Sequence, residues 1–131
     1  MSVIILYLIT AAIFLIIDVV MLNAYMSPFF RQYVGHIMAD TPRMGPAAVF
    51  YLAYVGGMLY FVSLPSETLG QVFVSGLILG ALAYGTFEFT NYAIFTEWNM
   101  RMVITDVIWG AVLTATSATA GMWVSQKLGV L

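Results

Sequence analysis

Asp18, Glu88 and Asp106 offer the most chemistry in this chain, because each sits in a stretch otherwise apolar enough to span a membrane. A carboxylate near a bilayer centre costs about 2.5–3.5 kcal/mol on insertion scales, and such residues mark ion pathways, proton relays or ligand counter-ions. Aromatic residues accompany them. Tyr51 and Tyr54 lie in the second apolar stretch, Tyr84 is four residues before Glu88, and Trp109 follows Asp106 by one turn. Tyr84, Glu88 and Asn91 are spaced i, i+4, i+7, which places them on one helical stripe. The candidate ligand-binding set is therefore Asp18, Glu88, Asp106, Tyr84, Asn91, Tyr51, Tyr54 and Trp109. Acids attract cations and exchange protons, so the chemistry expected of the set is cation or small polar solute binding.

Composition decides which elements must hold these groups. The chain has 131 residues, of which 63% are hydrophobic and 8% charged. Soluble domains carry about 25% charged residues, so this chain has too little polar surface for water and reads as an integral membrane protein. A net charge of −2 argues against nucleic acid as a partner. Without cysteine there is no disulfide and no thiolate chemistry. A metal site would need carboxylates, the lone His36 and neutral oxygens, and the sequence names no cofactor.

At about 20 residues per span, the chain has room for four helices, and the fold class expected is all-α: a single membrane domain over 1–131 forming a four-helix bundle. The spans run over about 2–23, 45–64, 69–95 and 100–126. Pro46 just inside the second and Pro65 just after it act as helix punctuation. The first run lacks a basic leader and exceeds a signal-peptide core, so it reads as a retained span. Ser27-Pro28 reads as an N-cap with proline at the first helical position. Phe29, Phe30, Tyr33, Val34 and Ile37 then recur at helical spacing, which predicts a short interfacial helix between spans one and two. Trp98 and Trp123 read as interfacial anchors, His36 as an interfacial residue and the scattered methionines as filler.

The topology places the acids at one depth. Asp18 lies five residues before the first connection, Glu88 seven before the third, and Asp106 six after the start of span four. Those connections share a side and hold Arg31, Arg43 and Arg101, against Lys127 on the other, so the positive-inside rule puts them in the cytoplasm and the termini outside. Beyond the acids the stripes become small: Gly80 and Gly76 in span three, Thr114, Ser117 and Gly121 in span four, and Ala53 and Gly57 in span two. Small residues let helices approach closely, so a tight far half and a polar cavity in the near half are expected. The plainer alternative is that the acids bond across helices or pair with an edge arginine that snorkels inward. Ile16–Val20 also echoes Ile104–Ile108, as an inverted repeat would, on too few residues to establish one.

The segments Tyr51–Pro65 and Ala83–Ala93, with Trp98, Arg101 and Asp106-x-x-Trp109-Gly110, resemble a bacterial family of predicted four-span membrane proteins of unknown function, numbered 2177 among such domains. The block from Tyr84 to Asn91 is the most specific part, and the family pattern usually has Asp where this chain has Glu88. The resemblance implies a membrane location, here the bacterial inner membrane, and four spans. It supplies no activity. The residues support three functions: binding or transport of a cation or small solute, an accessory subunit of a larger membrane complex, or an enzyme acting on lipid. The last lacks a nucleophile–base pair, an intramembrane histidine and a metal motif. Transport by so small a bundle would imply a homo-oligomer.

Overall fold

A computed structural model describes residues 1–131 and contains helices and turns but no strand. The elements are α1 (Ser2–Met21), α2 (Ser27–Val34), α3 (Met44–Met58), α4 (Leu69–Ile94) and α5 (Met100–Lys127). They make four segments long and apolar enough to cross a membrane: Ser2–Ile37, Met44–Ser63, Leu69–Ile94 and Met100–Lys127.

The ends of these segments follow local chemistry. Thr68 caps α4 in a capping box: its hydroxyl accepts from the Gln71 N–H, and the Gln71 side chain accepts from the Thr68 N–H. Asn99 caps α5 by accepting from the Met102 N–H. The connections between are short, so neighbouring spans run antiparallel.

The first segment departs from expectation. The predicted helix at Ser27 exists, but it is not separated from the first span: α1 passes through a π-turn, Leu22–Met26, directly into α2. Ser27 is helical at φ −63° and caps nothing. A proline inside an α-helix removes one i→i−4 bond and clashes with the carbonyl four residues back. The wider π-turn immediately before Pro28 absorbs that clash, so the chain continues as one segment of 36 residues. A second π-turn, Leu59–Ser63, ends the second segment before Pro65.

α5 is the hub. Its buried face runs through Met102, Asp106, Gly110, Thr114, Ser117, Gly121 and Ser125, and it packs along α4 and α1. The α4–α5 seam is close. A Cβ on Gly76 would lie 2.6 Å from the Ala115 Cα, and one on Gly80 would lie 2.8 Å from the Ala111 Cα. On the α1 side, a Cβ on Gly121 would collide with the Thr10 hydroxyl. The small pair on the second span behaves otherwise: nothing lies within 4 Å of a Cβ built on Gly57, and Ala53 is exposed. These two face outward and make no close crossing, because α3 is held by bulkier Val55, Met58 and Leu59. No residue of α3 from Met44 to Tyr54 is buried, and α3 meets α4 mainly through the π-turn at its far end.

Candidate acidic and aromatic cavity

Where α3 stands away from α4 and α5, a cavity of about 470 Å³ opens. Four elements supply its chemistry: Asp18 from α1, Tyr51 and Tyr54 from α3, Tyr84 from α4, and Asp106 and Trp109 from α5. The tyrosine side chains stack into a continuous wall. Phe14 packs beneath Tyr51 and Tyr54 with ring centroids 5.8 and 5.6 Å away, Phe50 stacks on Tyr54 at 6.3 Å, and Tyr84 meets Tyr54 edge-on at 6.2 Å. Tyr54 is fixed by a 2.7 Å hydrogen bond between its hydroxyl and that of Thr114. Tyr84 lies over Gly110, where any side chain would displace it. The glycine thus makes room for the ring rather than for a helix.

The acids are nearly withdrawn from the surface. Asp18 is 3% exposed and Asp106 8%, and both line the cavity. The Trp109 indole N–H donates to Asp18 Oδ1 at 3.3 Å, and the Tyr51 hydroxyl lies close to the same carboxyl. Trp109 therefore orients an acid as well as packing. Asp106 receives no hydrogen bond from an indole, amide or alcohol of the protein. The Glu88 carboxyl is a close polar neighbour, and two carboxyls can share a hydrogen bond only when one of them holds a proton. No lysine or arginine reaches any of the three acids. Arg31, Arg43 and Arg101 are exposed, and the one contact between a basic side chain and a carboxylate joins His36 Nε2 to Glu97 at 2.8 Å.

Two residues of the predicted set are not in the cavity. Glu88 is fully buried behind it, and the Trp98 indole N–H donates to its Oε1 at 2.8 Å while Oε2 has no donor. Asn91 shares the Tyr84–Glu88 stripe but lies one turn further out, half-buried, with no side-chain hydrogen bond and no place in the cavity wall. The stripe argument fixed the face correctly. It could not tell how far along the face the cavity extends. Nor do the three acids gather into one cluster able to hold a metal ion. Asp18 on α1 and Asp106 on α5 line the cavity, and Glu88 lies outside it.

Trp98 has a role beyond the interfacial one expected of it: it reaches Glu88. It stands in the third connection, ten residues beyond Glu88, outside any helical spacing rule. The turn folds it back so that its indole bonds Glu88 and its ring meets Phe30 and Phe87 edge-on at 5.7 and 6.0 Å. Phe30, with Met26, belongs to the continuation of the first segment, so α2 forms part of the cavity wall. The His36–Glu97 contact ties the same continuation to the same connection.

Fold and site together define an integral membrane four-helix bundle with an acidic, aromatic-walled cavity in one half. The chain belongs to the family of predicted membrane proteins DUF2177, whose pattern matches residues 3–123. No curated protein and no solved structure matches it.

Proposed function

We propose that this protein binds a cation within the membrane and carries it between the two sides. One observation supports the reading above others: two acids more than nine-tenths buried line a cavity, and no basic side chain of the protein balances them. Acids that served only to hold helices together would bond across a helix interface to donors. Asp106 instead faces open space and another acid. A bound cation supplies the missing partner, and the Asp106–Glu88 pair can take up a proton when the cation leaves.

The arginine bias supports a cytoplasmic position for the cavity's half of the bundle, with both termini outside. Gly76, Gly80 and Gly121 close the other half. One bundle then encloses a site and not a path, so carriage across the membrane would use a second copy of the chain.

The test is saturable binding of tetraethylammonium to purified protein in detergent, measured by titration calorimetry. Asp18→Asn and Asp106→Asn each lower affinity at least about tenfold, one charge contact being worth roughly 1.4 kcal/mol or more. Both variants keep the thermal stability of the parent. Variants that bind like the parent, or that unfold because the acids were holding the bundle together, would sink the reading.

A further inference from the structure

We infer that the ligand is an amphipathic organic cation, an ammonium- or phosphonium-type centre bearing aromatic or alkyl groups, which enters from the bilayer between α3 and α4. This rests on the cation-binding reading above and adds the ligand's chemical class and its route.

Three observations carry it. The first is the balance of the wall. Of 15 residues lining the cavity, 12 are hydrophobic, and the only ionisable acids are Asp18 and Asp106. An inorganic cation surrenders tightly held water on entering such a place and needs a close cage of oxygens in return. Asp18 and Asp106 stand on different elements, and no group of three acids or imidazoles forms. A large cation with diffuse charge loses little hydration, rests against aromatic faces, and still gains from two carboxylates. Tyr51, Tyr54, Tyr84 and Trp109 supply those faces.

The second is size. About 470 Å³ is far more than a dehydrated metal ion fills, and it falls within the range of sites for small organic ligands. The third is the mouth. No residue of the near half of α3 is fully buried, and Phe50 on α3 and Phe87 on α4, both lining the cavity, are 65% and 53% exposed. Apolar flanks at membrane depth admit a solute already partitioned into lipid. They would repel a hydrated ion.

The experiment compares wild-type affinities for tetraphenylphosphonium, tetraethylammonium, sodium ion and the neutral triphenylphosphine oxide. Only the part of binding lost in the Asp18→Asn/Asp106→Asn double variant is counted, which removes partition into detergent. The expected order is tetraphenylphosphonium tighter than tetraethylammonium by at least about tenfold, with neither sodium ion nor the neutral oxide binding saturably. Phe50→Ala, at an exposed position, lowers tetraphenylphosphonium affinity at least about fivefold. Sodium ion or tetraethylammonium binding as tightly as tetraphenylphosphonium overturns the inference and leaves the cation-binding reading standing. Wild-type phosphonium affinity in Phe50→Ala also overturns it. Absence of acid-dependent binding by every cation brings down both.

Discussion

The two halves of the bundle are built on opposite rules. In the closed half, Gly76, Gly80 and Gly121 remove side chains so that α5 touches α4 and α1 backbone to backbone. In the open half, Tyr51, Tyr54, Tyr84 and Trp109 hold the same helices apart around buried acids. Helices in lipid gain no hydrophobic drive to associate, so close packing and interhelical hydrogen bonds must do it. Tight packing at one end therefore lets the other tolerate a cavity and buried acids without basic partners. Gly110 stands at the boundary: it is as small as the seam glycines, but the space it leaves is taken by the Tyr84 ring.

Mutations can break this division. The largest effect is expected from Gly80→Val, because even a Cβ there strikes the Gly110–Ala111 backbone. Overpacking of this kind costs about 3 kcal/mol or more when only backbone can yield, to be read as loss of monodisperse protein or a lowered unfolding midpoint. A tolerated valine would mean that the seam is not what holds the open half open.

Trp98→Phe keeps the ring contacts to Phe30 and Phe87 but removes the indole donor from Glu88. The expected loss is about 1 kcal/mol, in the range of interhelical hydrogen bonds in membranes, and greater protease sensitivity of the 96–99 connection should accompany it. Tyr54→Phe deletes the hydroxyl pair with Thr114 and should lower stability by about 0.6 kcal/mol. A larger loss would show that the aromatic wall also supports the bundle. The smallest effect belongs to Gly57→Ala. Its Cβ meets open space, so the unfolding midpoint should stay within about 0.5 kcal/mol of the parent. Comparison with Gly80→Val then separates a packed glycine from an unpacked one in the same type of motif.

That contrast also shows what could be read from the chain. The limits of spans two to four were legible because prolines, Thr68 and Asn99 mark them chemically, and the structure moves them by at most one residue, whereas the first segment runs on from the expected end near residue 23 to Ile37. The stripe Tyr84–Glu88 and the stripe Asp106–Gly110–Thr114 were legible because helical periodicity depends only on spacing. Gly57 was not, since a small residue looks the same whether it meets a helix or lipid. The Ser27-Pro28 pair was misleading for a related reason. It is a good helix start in water-soluble chains, but a π-turn offers another way to accommodate the ring. Trp98 lay beyond reach because its partner is local in space only after a turn whose path no pattern encodes. Depth along a face, which decides Asn91, is likewise set by where α3 diverges.

The π-turn at Leu22–Met26 has a consequence for the timing of residues around the helix axis. An α-helix advances each residue by about 100°, so the turn acts as the index mark from which every later position in α2 is counted. It sets Phe30 toward Trp98, and the short turn Gly35–Ile37 that follows α2 then brings His36 to Glu97. One residue gained or lost there would turn the whole of α2 by that angle, the Phe30 contact would miss, and the tight turn Gly35–Ile37 that carries His36 would start from a shifted position. The connection Thr96–Asn99 and the end of the first segment are therefore keyed to each other like two gears, with the tooth count held in five residues.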